Sequence, residues 1–176
     1  SQNRGGATPQ VIAPYSAHPA FSKAGYLLGV EVTRIALRDD FRANAEQMRA
    51  AVGERTIGII GSAPGFPHGL VDPIEEIAAI AREHNLWMHV DACVGGFVLP
   101  FARDLQYPIP EFDFAVAGVR SMSADLHKYG FAAKGASTVV YRHQDDHRHQ
   151  VFEFDDWPRG KYAAPTMAGT RPGGAV

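Results

Sequence analysis

Ser121-Met-Ser-Ala-Asp-Leu-His127-Lys128-Tyr-Gly130 decides how the rest of the chain is read. It places a lysine in a Ser/Asp-rich turn after an apolar strand. An amine in such a place can form a Schiff base with an aldehyde. A His-Lys pair alone carries little, because most such pairs are solvated surface. The companion segment is His89-Val-Asp91-Ala-Cys-Val-Gly-Gly96, in which a carboxylate also follows an apolar strand.

Working outward, short apolar runs alternate with helical patterns, which is the signature of α/β architecture. Strands are predicted over residues 11–15, 31–37, 56–61, 86–90, 112–117 and 137–141. A first helix is expected with Ser16 as its cap, Pro19 in its first turn and Gly29 at its end. A second is capped by Asp40 and runs through Ala51 to a stop at Gly53; a third is opened by Asp72-Pro73 and runs to about Glu83. Asp91 then falls at the C-terminal end of a strand, the edge where ligands of open α/β sheets gather. Lys128 falls on the connection between the last two strands. No repeat or low-complexity linker divides the chain, so one domain is expected.

With 176 residues, 45% hydrophobic and 20% charged, the chain can bury one good core. A formal net charge of −2 argues against a nucleic-acid partner, which calls for a basic stripe. No apolar run approaches the ~18 residues of a membrane span, and no charged-then-apolar leader is expected from the opening residues. The single cysteine, Cys93, excludes an internal disulfide framework and fits a reducing, cytoplasmic compartment. Anchoring through a segment outside this sequence stays open at this point. As a side chain Cys93 reads as small buried packing. In Arg142-His-Gln-Asp-Asp-His147-Arg-His149, His143 and His147 share a helix face. A metal site needs further ligands and a supporting shell, so this run reads as a charged, solvated helix and no metal is expected.

Three more segments complete the pattern: Ser16-Ala-His18-Pro-Ala-Phe-Ser-Lys23, Gly61-Ser-Ala-Pro-Gly-Phe-Pro-His68-Gly69 and Ala168-Gly-Thr170-Arg171-Pro-Gly-Gly174. In this order, along the length of the chain, the motifs resemble the PLP-dependent decarboxylase (group II) superfamily, and specifically its sphingosine-1-phosphate lyase branch. The resemblance implies an α/β fold of the type I PLP-dependent transferase-like large domain, a mostly parallel sheet flanked by helices. It implies pyridoxal 5'-phosphate as cofactor and enzymes of several hundred residues. Residues 1–176 are therefore expected to be the central part of a single PLP-binding domain. The phosphate loop would lie upstream and the small C-terminal domain downstream.

On this resemblance Lys128 carries the cofactor, and Asp91 pairs with its ring nitrogen, an attraction stronger in a desolvated site than in water. Taken alone, Lys128 is a surface lysine and Asp91 a cap for the Gly95-Gly96 turn. His18 matches the histidine that stacks on the cofactor ring; taken alone it is a second capping residue beside Ser16. His127 and Asp125 match positions at the cofactor phosphate, where a histidine can donate but a carboxylate repels unless it is protonated or turned away. Lys134, in Phe131-Ala-Ala-Lys134-Gly135, matches a basic residue of the lyase branch that faces the site entrance. Thr170 and Arg171 resemble a second phosphate-contacting segment that reaches across a dimer interface, and Tyr129 and His68 are further candidates for the pocket wall.

The implied activity is retro-aldol cleavage of a phosphorylated sphingoid base to a fatty aldehyde and phosphoethanolamine, by a homodimer with a shared site. Lys128, Lys134 and His18 are its catalytic candidates. A PLP-dependent amino acid decarboxylase is the alternative, and a non-catalytic fragment retaining the fold is a second. Lys134 and the loop at residues 61–69 favour the lyase.

Overall fold

Trp87-Met-His-Val-Asp91 alternates strictly in burial: Met88 and Val90 are fully buried, while Trp87, His89 and Asp91 on the opposite face are half-buried. This period of two is that of a strand with an apolar core on one face and something else on the other. The computed structural model, which describes residues 6–167 and 169, puts this strand inside a six-stranded sheet. The strands are β1 (Gln10–Pro14), β2 (Glu31–Ile35), β3 (Thr56–Ser62), β4 (Trp87–Asp91), β5 (Val119–Ala124) and β6 (Thr138–Tyr141), in the order β2-β1-β3-β4-β5-β6. All neighbours pair in parallel except β5 and β6, which are antiparallel.

The helices are α1 (Ala20–Leu28), α2 (Ala45–Ala50), α3 (Ile74–Glu83), α4 (Leu99–Asp104) and α5 (Gln144–His147). Helix α3 buries Ile74, Ile77, Ala78, Ile80 and Ala81 against Ile12, Ile59, Met88, Val90 and Val119 of the sheet. A Cβ on Gly61 would lie 2.7 Å from Ile74 Cδ1, so this glycine lets α3 approach β3 closely. On the other face a smaller cluster of Ala13, Ala17 and Ile60 packs with Phe21 of α1. That face is only partly apolar, and the site lies there. Beyond the sheet, β7 (Phe152–Phe154) and β8 (Tyr162–Ala164) form a small antiparallel hairpin that sequence reasoning did not foresee.

The strands match the predicted ones to within a residue or two, with one exception. Residues 112–117 form a turn, and the strand follows at Val119–Ala124. Asp113 causes this: its Oδ1 accepts from Ala115 N at 2.8 Å and its carbonyl from Val116 N at 3.0 Å, which closes a local turn. Gly118, at φ 105, then leads into β5. Phe112 is buried as a plug in the core. Helix α4 was not foreseen.

Several expected caps also differ. Ser16 does not cap α1; the helix starts after Pro19, and His18 Nδ1 accepts there from Ala20 N at 3.1 Å. Gly29 ends α1 in the left-handed region as expected, at φ 68. Asn44, not Asp40, caps α2 by accepting from Gln47 N at 3.1 Å. Asp40 instead pairs with Arg38 at 2.8 Å and Arg42 at 3.2 Å. The run after β6 is a short helix and a 3₁₀ turn, and its Asp146 is buried against Arg120 instead of solvated.

Asp72 does not cap α3 either. It is buried, and its two carboxylate oxygens accept from Ala43 N at 2.9 Å and Ser62 N at 2.8 Å. It thereby ties the end of β3 to the approach to α2. Burial pushes its pKa above the usual carboxylate range, against the pull of those two amides. Replacing Asp72 with Ala leaves two buried N–H groups unpaired at about 1–3 kcal/mol each. We expect D72A to lose roughly 2–4 kcal/mol in urea unfolding, whereas D40A, whose ion pairs are screened by solvent at the surface, should leave the unfolding midpoint nearly unchanged.

Candidate active site

Parallel pairing brings the C-terminal ends of β1, β3, β4 and β5 to one edge of the sheet, and β6 begins at that same edge. A cavity of about 540 Å³ opens there. His18 follows β1, Ser62 ends β3 and Pro64 follows it. Asp91 ends β4 and Cys93 follows, while Asp125, His127 and Lys128 follow β5 and Ser137 precedes β6; all of them line the cavity. The chain reverses direction across the sheet between β1 and β3, the switch point where α/β sheets open a crevice.

Lys128 is held by a tight turn, its N–H donating to the Asp125 carbonyl at 3.2 Å. The same turn carries its Nζ to 2.8 Å from Asp125 Oδ2. Asp125 is buried, and Ser137 Oγ donates to its other oxygen. Burial pushes Asp125 up, but the bonds from Lys128 and Ser137 outweigh it and leave the carboxyl below the usual range. For Lys128, burial pushes down and the Asp125 partner outweighs it, so the amine holds its proton more firmly than a free lysine. Asp125, expected at the cofactor phosphate, is instead turned to Lys128. An ionised carboxylate with both oxygens occupied by donors is a poor phosphate contact.

His127 Nδ1 lies 2.6 Å from the Ala136 carbonyl, which can only accept, so Nδ1 carries a proton. Its Nε2 is 3.5 Å from Asp125 Oδ2. His18 has the opposite arrangement. Its Nδ1 accepts from Ala20 N, so the neutral ring carries its proton on Nε2. His18 thus serves as both helix-start acceptor and cavity wall.

Asp91 Oδ1 accepts from Cys93 N at 3.1 Å and from Ser123 Oγ at 3.3 Å. Among the described residues Oδ2 receives no hydrogen bond. Burial, with Asp91 adding, pushes the Cys93 thiol up to about 12, which makes it an inert wall.

Lys134 is exposed on the turn before β6 and does not line the cavity. Tyr129 is also outside it, and His68 stacks on Phe41 with ring centroids 4.8 Å apart. Thr170 and Arg171 lie outside the described residues. Sequence reasoning assigned no role to His89, Ser123, Ser137 or Ser62. A signal was present for two of them: Ser123 repeats Ser121 at period two on a buried strand, and His89 stands two residues before Asp91 on the same face of β4. Among the described residues no group of three or more His, Cys, Asp or Glu is disposed to hold a metal ion.

The profile of the pyridoxal-dependent decarboxylase conserved domain matches residues 6–155. The chain belongs to the pyridoxal-dependent decarboxylase family. It is 49% identical to a sphingosine-1-phosphate lyase of Arabidopsis thaliana over 96% of its own length and 31% of that relative's. It is 40% identical to a probable L-aspartate decarboxylase of Pyrococcus furiosus, over 96% of its length and 45% of the relative's. The solved sphingosine-1-phosphate lyase of Burkholderia pseudomallei superposes with a TM-score of 0.93 at 44% identity, covering 98% of this chain and 40% of that one. The chain therefore spans about a third of the plant lyase, and its fold is that of the type I PLP-dependent large domain.

The cavity's residues fit pyridoxal phosphate. An amine, a carboxylate oxygen without a partner and an imidazole open on one space, whose size falls within the roughly 300–1,000 Å³ of ligand pockets. The Ser62 hydroxyl, buried in the same wall, has no hydrogen-bond partner among the described residues. Among the described residues, glycine is also required beneath the site: a Cβ on Gly95 would lie 2.1 Å from the Ala63 carbonyl oxygen.

Because Asp125 keeps the proton on Lys128, the pair is present at neutral pH. It is lost on acidification only as pH falls through the lowered pKa of Asp125. D125N removes the charge, so Lys128 should titrate at lower pH and react faster with amine reagents near neutrality. The pH dependence of its labelling, followed by peptide mass spectrometry, measures this directly.

Proposed function

We propose that this chain is the central part of a PLP-binding domain in a carbon–carbon lyase. The enzyme would cleave phosphorylated sphingoid bases, such as sphingosine 1-phosphate, into a fatty aldehyde and phosphoethanolamine. The observation that carries the reading is the meeting of Lys128, Asp91 and His18 on one cavity, in a chain 49% identical to a plant sphingosine-1-phosphate lyase.

Bound pyridoxal phosphate supplies an electron sink for the pair left behind when a bond at the amine-bearing carbon breaks. The chain's own residues prepare that event. Asp91 would supply negative charge to the cofactor's ring nitrogen through Oδ2, which no donor among the described residues occupies. His18 offers a flat imidazole, pinned by the start of α1, against the ring. His127, whose Nε2 lies 3.5 Å from Asp125 Oδ2, would sit beside the cofactor phosphate. Asp125 and Ser137 hold the Lys128 amine in place, and Lys128 Nζ holds or moves the proton that the reaction transfers at the substrate.

Lys134 enters this reading as a cation outside the cavity, where a phosphate headgroup that stays in water would meet it. Assembly as a two-fold dimer belongs to the same reading, with Thr170 and Arg171 approaching the partner's cavity. So does a cytoplasmic catalytic domain, which a lone, unpaired Cys93 suits. The described residues include no helix long and apolar enough to cross a membrane.

A second reading, amino acid decarboxylation, is favoured by the 40% identity to the probable L-aspartate decarboxylase. The whole protein, supplied with pyridoxal phosphate, distinguishes them. We expect fatty aldehyde and phosphoethanolamine from sphingosine 1-phosphate, with borohydride fixing the cofactor to Lys128 and K128A inactive. Release of CO₂ from aspartate without aldehyde from the lipid phosphate would replace the first reading with the second.

Lys134 separates the two readings at a single residue. K134A should leave pyridoxal phosphate bound and cut aldehyde release by at least about tenfold, the loss of one charge-assisted contact to phosphate. K134R should restore part of it, because the guanidinium keeps the charge but presents it in a wider, planar head that meets the phosphate with different geometry. Loss of the cofactor in K134A would make Lys134 a cofactor contact instead.

A further inference from the structure

Between β4 and β5 runs a line of side chains that cofactor contact alone does not require. Parallel register sets His89 beside Ser121 and Asp91 beside Ser123, with Trp87 on the same face of β4. Trp87 Nε1 donates to Ser121 Oγ at 2.8 Å. His89 Nδ1 lies 2.8 Å from Ser121 Oγ, and its Nε2 lies 3.3 Å from Ser123 Oγ. Ser123 Oγ donates to Asp91 Oδ1 at 3.3 Å.

The two ends of this line determine the direction of every proton in it. An indole N–H only donates, an ionised carboxylate only accepts, and each hydroxyl has one proton to give. Ser123 gives its proton to Asp91, so it must accept from His89, and Nε2 carries hydrogen. The Cys93 thiol, 3.2 Å away, donates to the remaining lone pair of Ser123. In a neutral ring Nδ1 is then bare and accepts the Ser121 proton, while the Ser121 oxygen accepts from Trp87. Every partner is satisfied in this arrangement. An imidazolium would donate from both nitrogens and leave the Ser121 hydroxyl proton without an acceptor in the line.

We propose that Trp87, Ser121, His89 and Ser123 form a one-way hydrogen-bond chain ending on Asp91, and that His89, held as its neutral Nε2–H tautomer, is a positioning residue for that carboxylate. The chain occupies Oδ1 and leaves Oδ2 for the ligand. Burial, which pushes the His89 imidazole down against the opposing pull of Asp91, agrees with a neutral ring. The surroundings add charge of both signs: His18, Asp125, His127 and Lys128 line the same cavity, and the Arg120 guanidinium lies 4.2 Å from the centre of the Trp87 ring. Phe21 of α1 closes over His89 edge-on at 5.9 Å and keeps the ring from turning.

The functional consequence rests on reading Asp91 as the partner of the cofactor's ring nitrogen, but the tautomer does not, so the two are tested separately. In cofactor-free protein labelled with ¹⁵N-histidine, the His89 signals, assigned by their loss in H89Q, should report a neutral ring with Nε2–H at neutral pH. A protonated Nδ1 at neutral pH overturns the chain. In the loaded enzyme, S123A and H89F should each lower kcat about tenfold with KM little changed, through a misplaced carboxylate. S123T should restore most of the loss. Because His89 acts through Ser123, the double variant should be no worse than S123A, whereas losses that multiply would make His89 merely structural. If the protein binds no pyridoxal phosphate yet still shows the Nε2–H tautomer, the cofactor reading falls and the hydrogen-bond chain stands.

Discussion

Parallel pairing of four strands is the constraint on which the rest of this site depends. Side-by-side β1, β3, β4 and β5 must end at the same edge, so whatever follows each of them is delivered to one place. His18, Ser62, Asp91 and Lys128 are separated by tens of residues in the chain but each lies within a few residues of a strand end. The antiparallel β6 fits the same constraint, because its start lies at that edge and brings Ser137 to Asp125. The two faces of the sheet then divide the work. One is sealed by α3 and the isoleucine-rich core, and the other is left polar enough to line a cavity.

Within the cavity, charge is balanced by pairs that differ in purpose. Asp125 is buried beneath a lysine and a serine and acts on the protein's own amine. Asp91 is braced through one oxygen only, which leaves the other for a ligand. The difference is set by neighbours, since both are aspartates near the ends of adjacent strands. An acceptor with both oxygens satisfied internally is a structural anchor, whereas one with a bare oxygen in a cavity is a binding group.

The segments around Lys128 and Asp91 were legible because each combines an apolar strand with a polar turn, a pattern of neighbouring residues. The strand set was legible for the same reason, as was Gly29, whose left-handed conformation suits glycine. Failures came where a side chain found a distant partner in place of its local one. Asp72 has the sequence context of a helix cap, yet it accepts from Ala43 and Ser62, 29 and 10 residues away. Residues 112–117 read as a strand by hydrophobicity, but the Asp113 turn competes locally and Phe112 is used as a core plug. Lys134, placed by resemblance at the entrance of the site, is not a failure of this kind: it lies on the exposed turn before β6, outside the cavity wall.

The sequence by itself determined the α/β class, the order of the strands along the chain, the family through the resemblance its motifs carry, and the position of Lys128 and Asp91 just past or at strand ends. These follow from local periodicity, turn chemistry and motif order, which need no knowledge of distant contacts. Only the tertiary structure decided that Asp125 pairs with Lys128 and Ser137, that His18 carries its proton on Nε2, and that Trp87, His89 and the two serines of β5 line up on Asp91. Those assignments depend on the register between β4 and β5 and on which donor meets which acceptor. The shift between Met88 and His89 in that register sets every later pairing of the two strands. A hydrogen bond forms only within about 3.5 Å, so a one-residue change in pairing would turn the same side chains to the opposite face and dissolve the network.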